Sequence, residues 1–273
     1  MTRLTADIIW GVPDDKLDLD GRLMKATGKT VKGIAMEAAG LEGDDYDFSR
    51  FSAAAVPITS GLGIIGGFAK SVDAIVTRLG MRSRVTDATD VAGFAEATRD
   101  GADIIMMSDD PVFMAYNTRE RAYTDNSWGT AMGYSVCLKN AAGGVEGKDV
   151  LVIGAGRVGA WATKILLGWG ANVSVVDIVY EKSESLIPLG AKALKDVEKA
   201  VSDNTLLLNA APYIIPGEII AHGSIVSSPG VPHYFDLEAR TRCKAIIHDP
   251  LEIGTAVMAV NSAAYTIKKE ERA

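Results

Sequence analysis

The chain is poor in residues that staple a fold or bind metal. Only two cysteines, Cys137 and Cys243, occur among 273 residues, far apart in sequence. That excludes a disulfide framework and a Cys-based zinc spacing, and suits a reducing cytosol. The histidines His222, His233 and His248 are scattered and match no ligand spacing, so no metal is expected. No uncharged apolar run approaches the ~18 residues of a membrane span. Asp7 stands where a secretory leader needs an apolar run. Positive charge is also short. The 28 Lys+Arg against 35 Asp+Glu leave a net charge of −7, which argues against nucleic-acid phosphates as a partner. A cytoplasmic protein with neither nucleic acid nor membrane as partner is expected.

What is present is a globular balance, 48% hydrophobic and 23% charged, in a length that suits one or two domains. The one excess is glycine, 28 of 273 residues, about a tenth against an average near 7%. With no Gly-X-Y period, this points to tight turns or to backbone contacts with ligands.

The first ~50 residues read as polar, helical material by weak periodicity, closed by a solvated loop at Asp44-Asp45-Tyr46-Asp47. Strand Ala53–Ile58 then leads through Thr59-Ser60-Gly61 into a helix with Ile64, Ile65, Phe68, Val72, Ile75, Val76 and Leu79 on one face. A second strand (Arg82–Thr86), a helix (Val91–Arg99) and a third strand (Asp103–Met107) follow. Short links between such elements predict a parallel three-stranded α/β domain. A helix over Trp128–Asn140 precedes the break Gly143-Gly144, which sets a boundary: residues 1–140, helical segment plus substrate domain, and 141–273, a Rossmann domain. Strands of the second are predicted at Val150–Ile153, Asn172–Val176, Thr205–Leu208, Ser224–Ser227 and Ala245–Ile247. Its last helix, Thr255 to about Ile267, is free to fold back on the first domain, and Lys268–Arg272 reads as a frayed tail.

G-x-G-x-x-G occurs twice, at Gly61, Gly63, Gly66 and at Gly154, Gly156, Gly159. At the second, the strand runs directly into the first glycine, and Arg157-Val158 start a helix whose free N–H groups face a diphosphate. Asp177 ends the next strand, where a carboxylate binds ribose hydroxyls and repels a 2′-phosphate. No arginine follows it closely, so NAD is expected over NADP. The first motif is different. Pro57 breaks its strand and Thr59-Ser60 add hydroxyls, which leaves open a small substrate anion, a second dinucleotide or a simple helix cap. Ligands of parallel sheets lie outside the carboxyl ends of the strands. Those ends carry Thr59, Ser60, Gly61, Asp87, Ser108, Asp109 and Asp110, with Asn117 and Asn126 following. The acids suit a substrate ammonium; a plain turn at Asp109-Asp110-Pro111 is the competing reading. Ala211-Pro212 and Pro229-Gly230 follow strands of the second domain and are expected beside the cofactor, and Gly254 allows close backbone approach.

Taken together, Val56-Pro57-Ile58-Thr59-Ser60-Gly61-Leu62-Gly63-Ile64-Ile65-Gly66, Thr86-Asp87, Asp90-Val91, Asp109-Asp110, Asn117, Asn126, Ser228-Pro229-Gly230-Val231-Pro232 and Ile253-Gly254-Thr255-Ala256 resemble the PylD family of pyrrolysine-forming dehydrogenases. The likeness runs over roughly residues 50–260. It implies NAD-dependent oxidation of the terminal amine of 3-methyl-D-ornithyl-N6-L-lysine, a dipeptide-like small molecule, followed by ring closure with loss of ammonia. On that footing Asp109 is expected to take the amine proton, Ser60 and Asn126 to orient the substrate, and Leu4 to cover it from an N-terminal helix. Three rivals stay open: a hydroxyl dehydrogenase of shikimate-dehydrogenase architecture using Lys70 and Asp87, an imine reductase, and a non-catalytic NAD-responsive binder. Assembly state, a homodimer included, is open too.

Overall fold

The computed structural model describes residues 4–14, 18–43, 46–231 and 235–272. Asp44, Asp45, Pro232 and His233 lie outside them. The chain opens with three helices, α1 (Ala6–Ile9), α2 (Leu19–Thr27) and α3 (Val31–Ala38). Asp18 and Thr30 cap the second and third by accepting the N–H of Gly21 and of Gly33, satisfying donors no helix can pair itself. Ile9, Leu19, Leu23 and Ile34 are buried beneath them, so the polar opening still presents one apolar face to the core.

The first sheet holds β1 (Ser52–Val56), β2 (Arg82–Val85), β3 (Ile104–Ser108), β4 (Phe113–Asn117) and β5 (Ala122–Asp125), ordered β2-β1-β3-β4-β5. Helices α4 (Phe68–Arg78) and α5 (Asp90–Arg99) make its crossovers. Strands β1, β2 and β3 are parallel, as the sequence predicts, but β4 and β5 add an antiparallel hairpin to the edge. The sheet is therefore mixed and five-stranded rather than parallel and three-stranded. Residues of β4 alternate buried and half-buried, the period-2 signal of a half-covered strand. Helix α4 also starts later than expected. Gly61, Gly63 and Gly67 all have positive φ, so the first glycine motif is an irregular loop and the helix begins at Phe68.

Helix α6 (Asn126–Ala141) leads to the second sheet, built of β6 (Asp149–Ile153), β7 (Asn172–Val176), β8 (Lys192–Leu194), β9 (Leu206–Asn209), β10 (Ile225–Ser227) and β11 (Ala245–Ile247). All its pairs are parallel, in the order β11-β10-β9-β6-β7-β8. Helices α7 (Arg157–Gly168), α8 (Tyr180–Glu184), α9 (Val197–Ser202) and α10 (Leu237–Arg242) connect its strands. Strand order reverses between β6 and β9, which opens a crevice at their carboxyl ends. The short strand β8 has no counterpart in the sequence reading.

The last helix, α11 (Glu252–Glu270), leaves this sheet and joins the first core, where Ala256, Val257, Val260 and Ile267 cluster with Phe48, Phe51, Ile104 and Met106. The residues read as a frayed tail continue this helix to Glu270. Arg50 pairs with Glu270 at 2.7 Å, Lys269 with Glu120 at 2.6 Å, and the Lys268 ammonium donates to the Ala39 carbonyl at 2.6 Å. Helices α6 and α11 cross closely because Gly129 and Gly133 carry no side chain. A Cβ at either would lie 2.8 Å from Met258 Cγ or 2.6 Å from Ile253 Cγ2.

Candidate active site

A cavity of about 350 Å³ lies between the two sheets, walled by both. The first unit gives it Leu4, Ser60, Asp109, Asp110, Asn126 and Tyr134; the second gives Val158, Pro212, Pro229 and Gly230. Phe68 and Phe113, stacked edge to face with centroids 5.3 Å apart, make one apolar side. Leu62 and Ile64, 75% and 55% exposed, also line it on the glycine loop.

Asp109 and Asp110 share one turn but have different tasks. Asp109 Oδ1 accepts the Val112 N–H at 2.8 Å, closing the turn between β3 and β4, and the same residue lines the cavity. Asp110 Oδ2 accepts the Leu62 N–H at 2.9 Å and ties the glycine loop to that turn. A side chain at Gly61 (φ +67°) would put its Cβ 2.1 Å from Asp110 Oδ2, straining the backbone and displacing the Asp110 carboxylate from the Leu62 N–H. Asn126 opens α6 and accepts the Thr130 hydroxyl at 3.1 Å. A Cβ on Gly254 of α11 would lie 2.6 Å from Thr130 Oγ1 and 3.3 Å from Asn126 Oδ1, so Gly254 provides the room they occupy.

Two lining residues escape the sequence reading. Asp249, 3% exposed, begins the chain's return toward α11, and its carboxylate accepts the N–H groups of Leu251 (2.7 Å), Glu252 and Ile253 (3.2 Å). The Tyr134 hydroxyl accepts the Asp249 N–H at 2.9 Å and faces Asp249 Oδ2 at 2.9 Å and its carbonyl at 2.7 Å. Burial pushes the Tyr134 phenol well above its usual range, so it stays a neutral donor. Asp249-Pro250 ahead of an apolar-periodic stretch is a helix-start signal, and Tyr134 falls on the Asn126 face of α6 by spacing alone.

Other expected site residues lie elsewhere. Asn117 is fully buried; its amide donates to the Ser262 carbonyl (2.7 Å) and Thr266 Oγ1 (2.9 Å), and its oxygen accepts the Glu120 N–H (2.9 Å). It anchors α11 to the hairpin and cannot reach a substrate. Asp87 is exposed and off the cavity, and its backbone N–H goes to Glu96 at 3.1 Å. Asp90 acts at this place instead, accepting the Thr59 N–H at 2.7 Å and its hydroxyl at 2.6 Å. Thr59 and Gly61 thus shape the loop, while Ser60 faces the cavity.

The second glycine motif assigns a different job to each glycine. Gly154 has φ +91°, and a Cβ there would crowd Ala211 Cβ at 2.8 Å. A Cβ on Gly159 would lie 1.8 Å from the Gly154 carbonyl oxygen, so its absence lets α7 press onto the sheet. A Cβ on Gly156 would meet nothing within 4 Å, which leaves this side of the backbone open to a diphosphate. Asp177 stands beside this loop, accepting the Ala155 and Val179 N–H groups at 2.8 Å each. Gly230 closes the far wall, donating its N–H to Asn209 at 3.1 Å. These residues fit a nicotinamide dinucleotide. The first motif lacks that set: Gly66 sits in open loop ahead of the helix rather than against a strand. Among the described residues no group of three His, Cys, Asp or Glu could hold a metal ion. No helix of the described chain is long and apolar enough to cross a membrane.

Residues 10–124 match the family described as pyrrolysine biosynthesis protein PylD, N-terminal domain, and residues 128–263 match the alanine dehydrogenase/PNT C-terminal domain. The pyrrolysine synthase of Methanosarcina barkeri is 32% identical over 90% of this chain and 95% of its own. That of Methanosarcina acetivorans is 29% identical over 94% and 98%. Among solved structures, quinate dehydrogenase from Corynebacterium glutamicum in complex with NAD shares the fold at TM-score 0.51 and 12% identity, over 81% of this chain and 98% of that one. The match to the PylD N-terminal domain, with identity running nearly end to end through both units, shows that the chain belongs to the pyrrolysine synthase family.

Proposed function

We propose that the chain is an NAD-dependent amine dehydrogenase that oxidises the terminal primary amine of 3-methyl-D-ornithyl-N6-L-lysine and closes the pyrroline ring of pyrrolysine with loss of ammonia. The observation that carries this reading is one cavity walled at once by Asp109 and Asn126 and by Val158, Pro229 and Gly230 of the dinucleotide unit.

NAD, when bound, supplies the hydride acceptor; Gly154, Gly156, Gly159 and Asp177 would hold it. The Asp177 carboxylate disfavours a 2′-phosphate, and Ile178 and Val179 after it offer no cation to such a group. Hydride leaves a carbon only when its amine is neutral. Asp109 Oδ1 is occupied by the turn, while Oδ2 has no partner among the described residues, so it is the oxygen open to take that proton and, once the proton has passed to solvent, to favour the growing iminium as a carboxylate. Ser60 and Asn126 orient the amine and amide groups. Phe68, Phe113 and Leu4 exclude water, and a chain held curled brings the α-amine onto the new imine carbon. That attack forms the ring C–N bond; the α-amine gives up a proton to the former terminal nitrogen, whose bond to the same carbon then breaks to release ammonia.

The hydroxyl-dehydrogenase rival needs Lys70 and Asp87 together. Both are exposed and neither lines the cavity. Incubation with NAD and either the ornithyl-lysine amine or a shikimate-type alcohol tests the reading. Absorbance of reduced nicotinamide should grow with the amine alone. Growth with the alcohol alone would overturn it.

A further inference from the structure

Arg157 opens α7 one residue after the open Gly156, the position of a cofactor-binding residue. Its guanidinium nevertheless reaches the other unit. Nη1 donates to the Pro111 carbonyl at 2.8 Å and Nη2 to Asp125 Oδ2 at 3.0 Å. Both partners flank the cavity. Pro111 lies inside the turn that carries Asp109, and Asp125 precedes Asn126 and caps α6 by accepting the Ser127 N–H on Oδ1 at 2.8 Å. The Asp125 side chain is 22% exposed, while that of Arg157 is 55% exposed and open to another anion.

A diphosphate over Gly156 brings negative charge to the side of the cleft that Asp125 faces. Without a cation between them the two would repel; with a guanidinium there, each is neutralised, because the planar fork can donate to both. We infer that Arg157 couples cofactor occupancy to the catalytic turn: it screens Asp125 from the bound diphosphate and draws Pro111 and Asp125, with Asp109 and Asn126 attached, onto the dinucleotide loop. The inference rests on the dinucleotide part of the proposed function, not on the identity of the substrate. By linkage, a cofactor that tightens the Arg157–Pro111 contact, which Asp125→Asn leaves in place, is itself held more tightly when that contact is intact.

The test is a double-mutant cycle on the full chain, reading NADH binding by titration calorimetry. Asp125→Asn keeps an oxygen for the Ser127 N–H, so the α6 cap survives. Arg157→Gln should weaken NADH binding about ten-fold or more, and Asp125→Asn alone should change it by less than about two-fold. Adding Asp125→Asn to Arg157→Gln should recover much of the loss, since the unscreened carboxylate is gone. Hydrogen exchange at residues 109–112 and 125–127 should slow on saturation with NADH in the parent chain and not in Arg157→Gln. A double variant that binds no better than Arg157→Gln would overturn the screening role. Equal protection of the 109–112 turn in Arg157→Gln would overturn the coupling. Neither readout needs turnover, so a parent chain that binds NADH yet leaves the ornithyl-lysine unchanged counts against the proposed reaction only.

Discussion

Tyr134 and Asp249, 115 residues apart in sequence, share a fully buried bond of 2.9 Å that joins α6 to the carboxyl end of β11. Strand β11 belongs to the dinucleotide unit and the α6 face carries Asn126, so this bond fixes one wall of the cavity against the other. Tyr134→Phe removes the acceptor of the Asp249 N–H and the donor to its carboxylate. The expected loss is about 1–3 kcal/mol of stability, the usual cost of stranding a buried polar group. Urea denaturation of the two proteins measures it; coincident curves would show that the pair fixes nothing.

Asp109→Asn is the sharpest test of the proposed base. Asparagine keeps an oxygen for the Val112 N–H, so the β3–β4 turn is preserved while the proton acceptor is lost. Turnover with the ornithyl-lysine amine should fall by about 10²–10⁴-fold, with NADH affinity unchanged by calorimetry. Near-normal turnover would remove Asp109 from the chemistry.

Gly159 and Gly156 of the second motif should fail in different ways. Gly159→Ala pushes a methyl group into the Gly154 carbonyl and should lower the melting temperature of the cofactor-free protein. Gly156→Ala enters open space, so the cofactor-free protein should melt as before while NADH binding weakens. Thermal melts with and without NADH separate the two. A Gly156→Ala protein that binds NADH normally would place the diphosphate elsewhere.

Glu96 should make an acid-sensitive contribution to stability. The Ala88 N–H, then Arg84, then the Asp87 N–H hold its carboxyl at about 2, against the ordinary 4.5. Because the folded value is depressed, the stabilisation is complete above 4.5 and is lost as pH falls toward about 2. The melting temperatures of the parent and of Glu96→Gln should therefore differ most at neutral pH and converge across that window. A gap that stays constant down to pH 2 would show that the charge plays no part.

What could be read in the sequence was what the local backbone dictates. The Gly154–Gly159 turn follows from the positive φ of Gly154, the helix start at Arg157 and the packing of Gly159 on the Gly154 carbonyl, all within six residues. The anchoring role of Asn117 is invisible in sequence because its partners, Ser262 and Thr266, lie 145 and 149 residues away, and only the folding back of α11 brings them near. Asp87 precedes α5 and Asp90 opens it, three residues on, and composition cannot tell which carboxylate turns to Thr59; in the fold it is Asp90. Tyr134 and Asp249 carry no local signal for a similar reason, since each is ordinary until the other is beside it.

Mass spectrometry of 3-methyl-D-ornithyl-N6-L-lysine incubated with the protein and NAD tests the central claim most directly. The account expects a product lighter than the substrate by two hydrogens and one ammonia, formed one for one with reduced nicotinamide. Loss of two hydrogens without ammonia would contradict ring closure, and recovery of unchanged substrate from protein that binds NADH would contradict the proposed reaction.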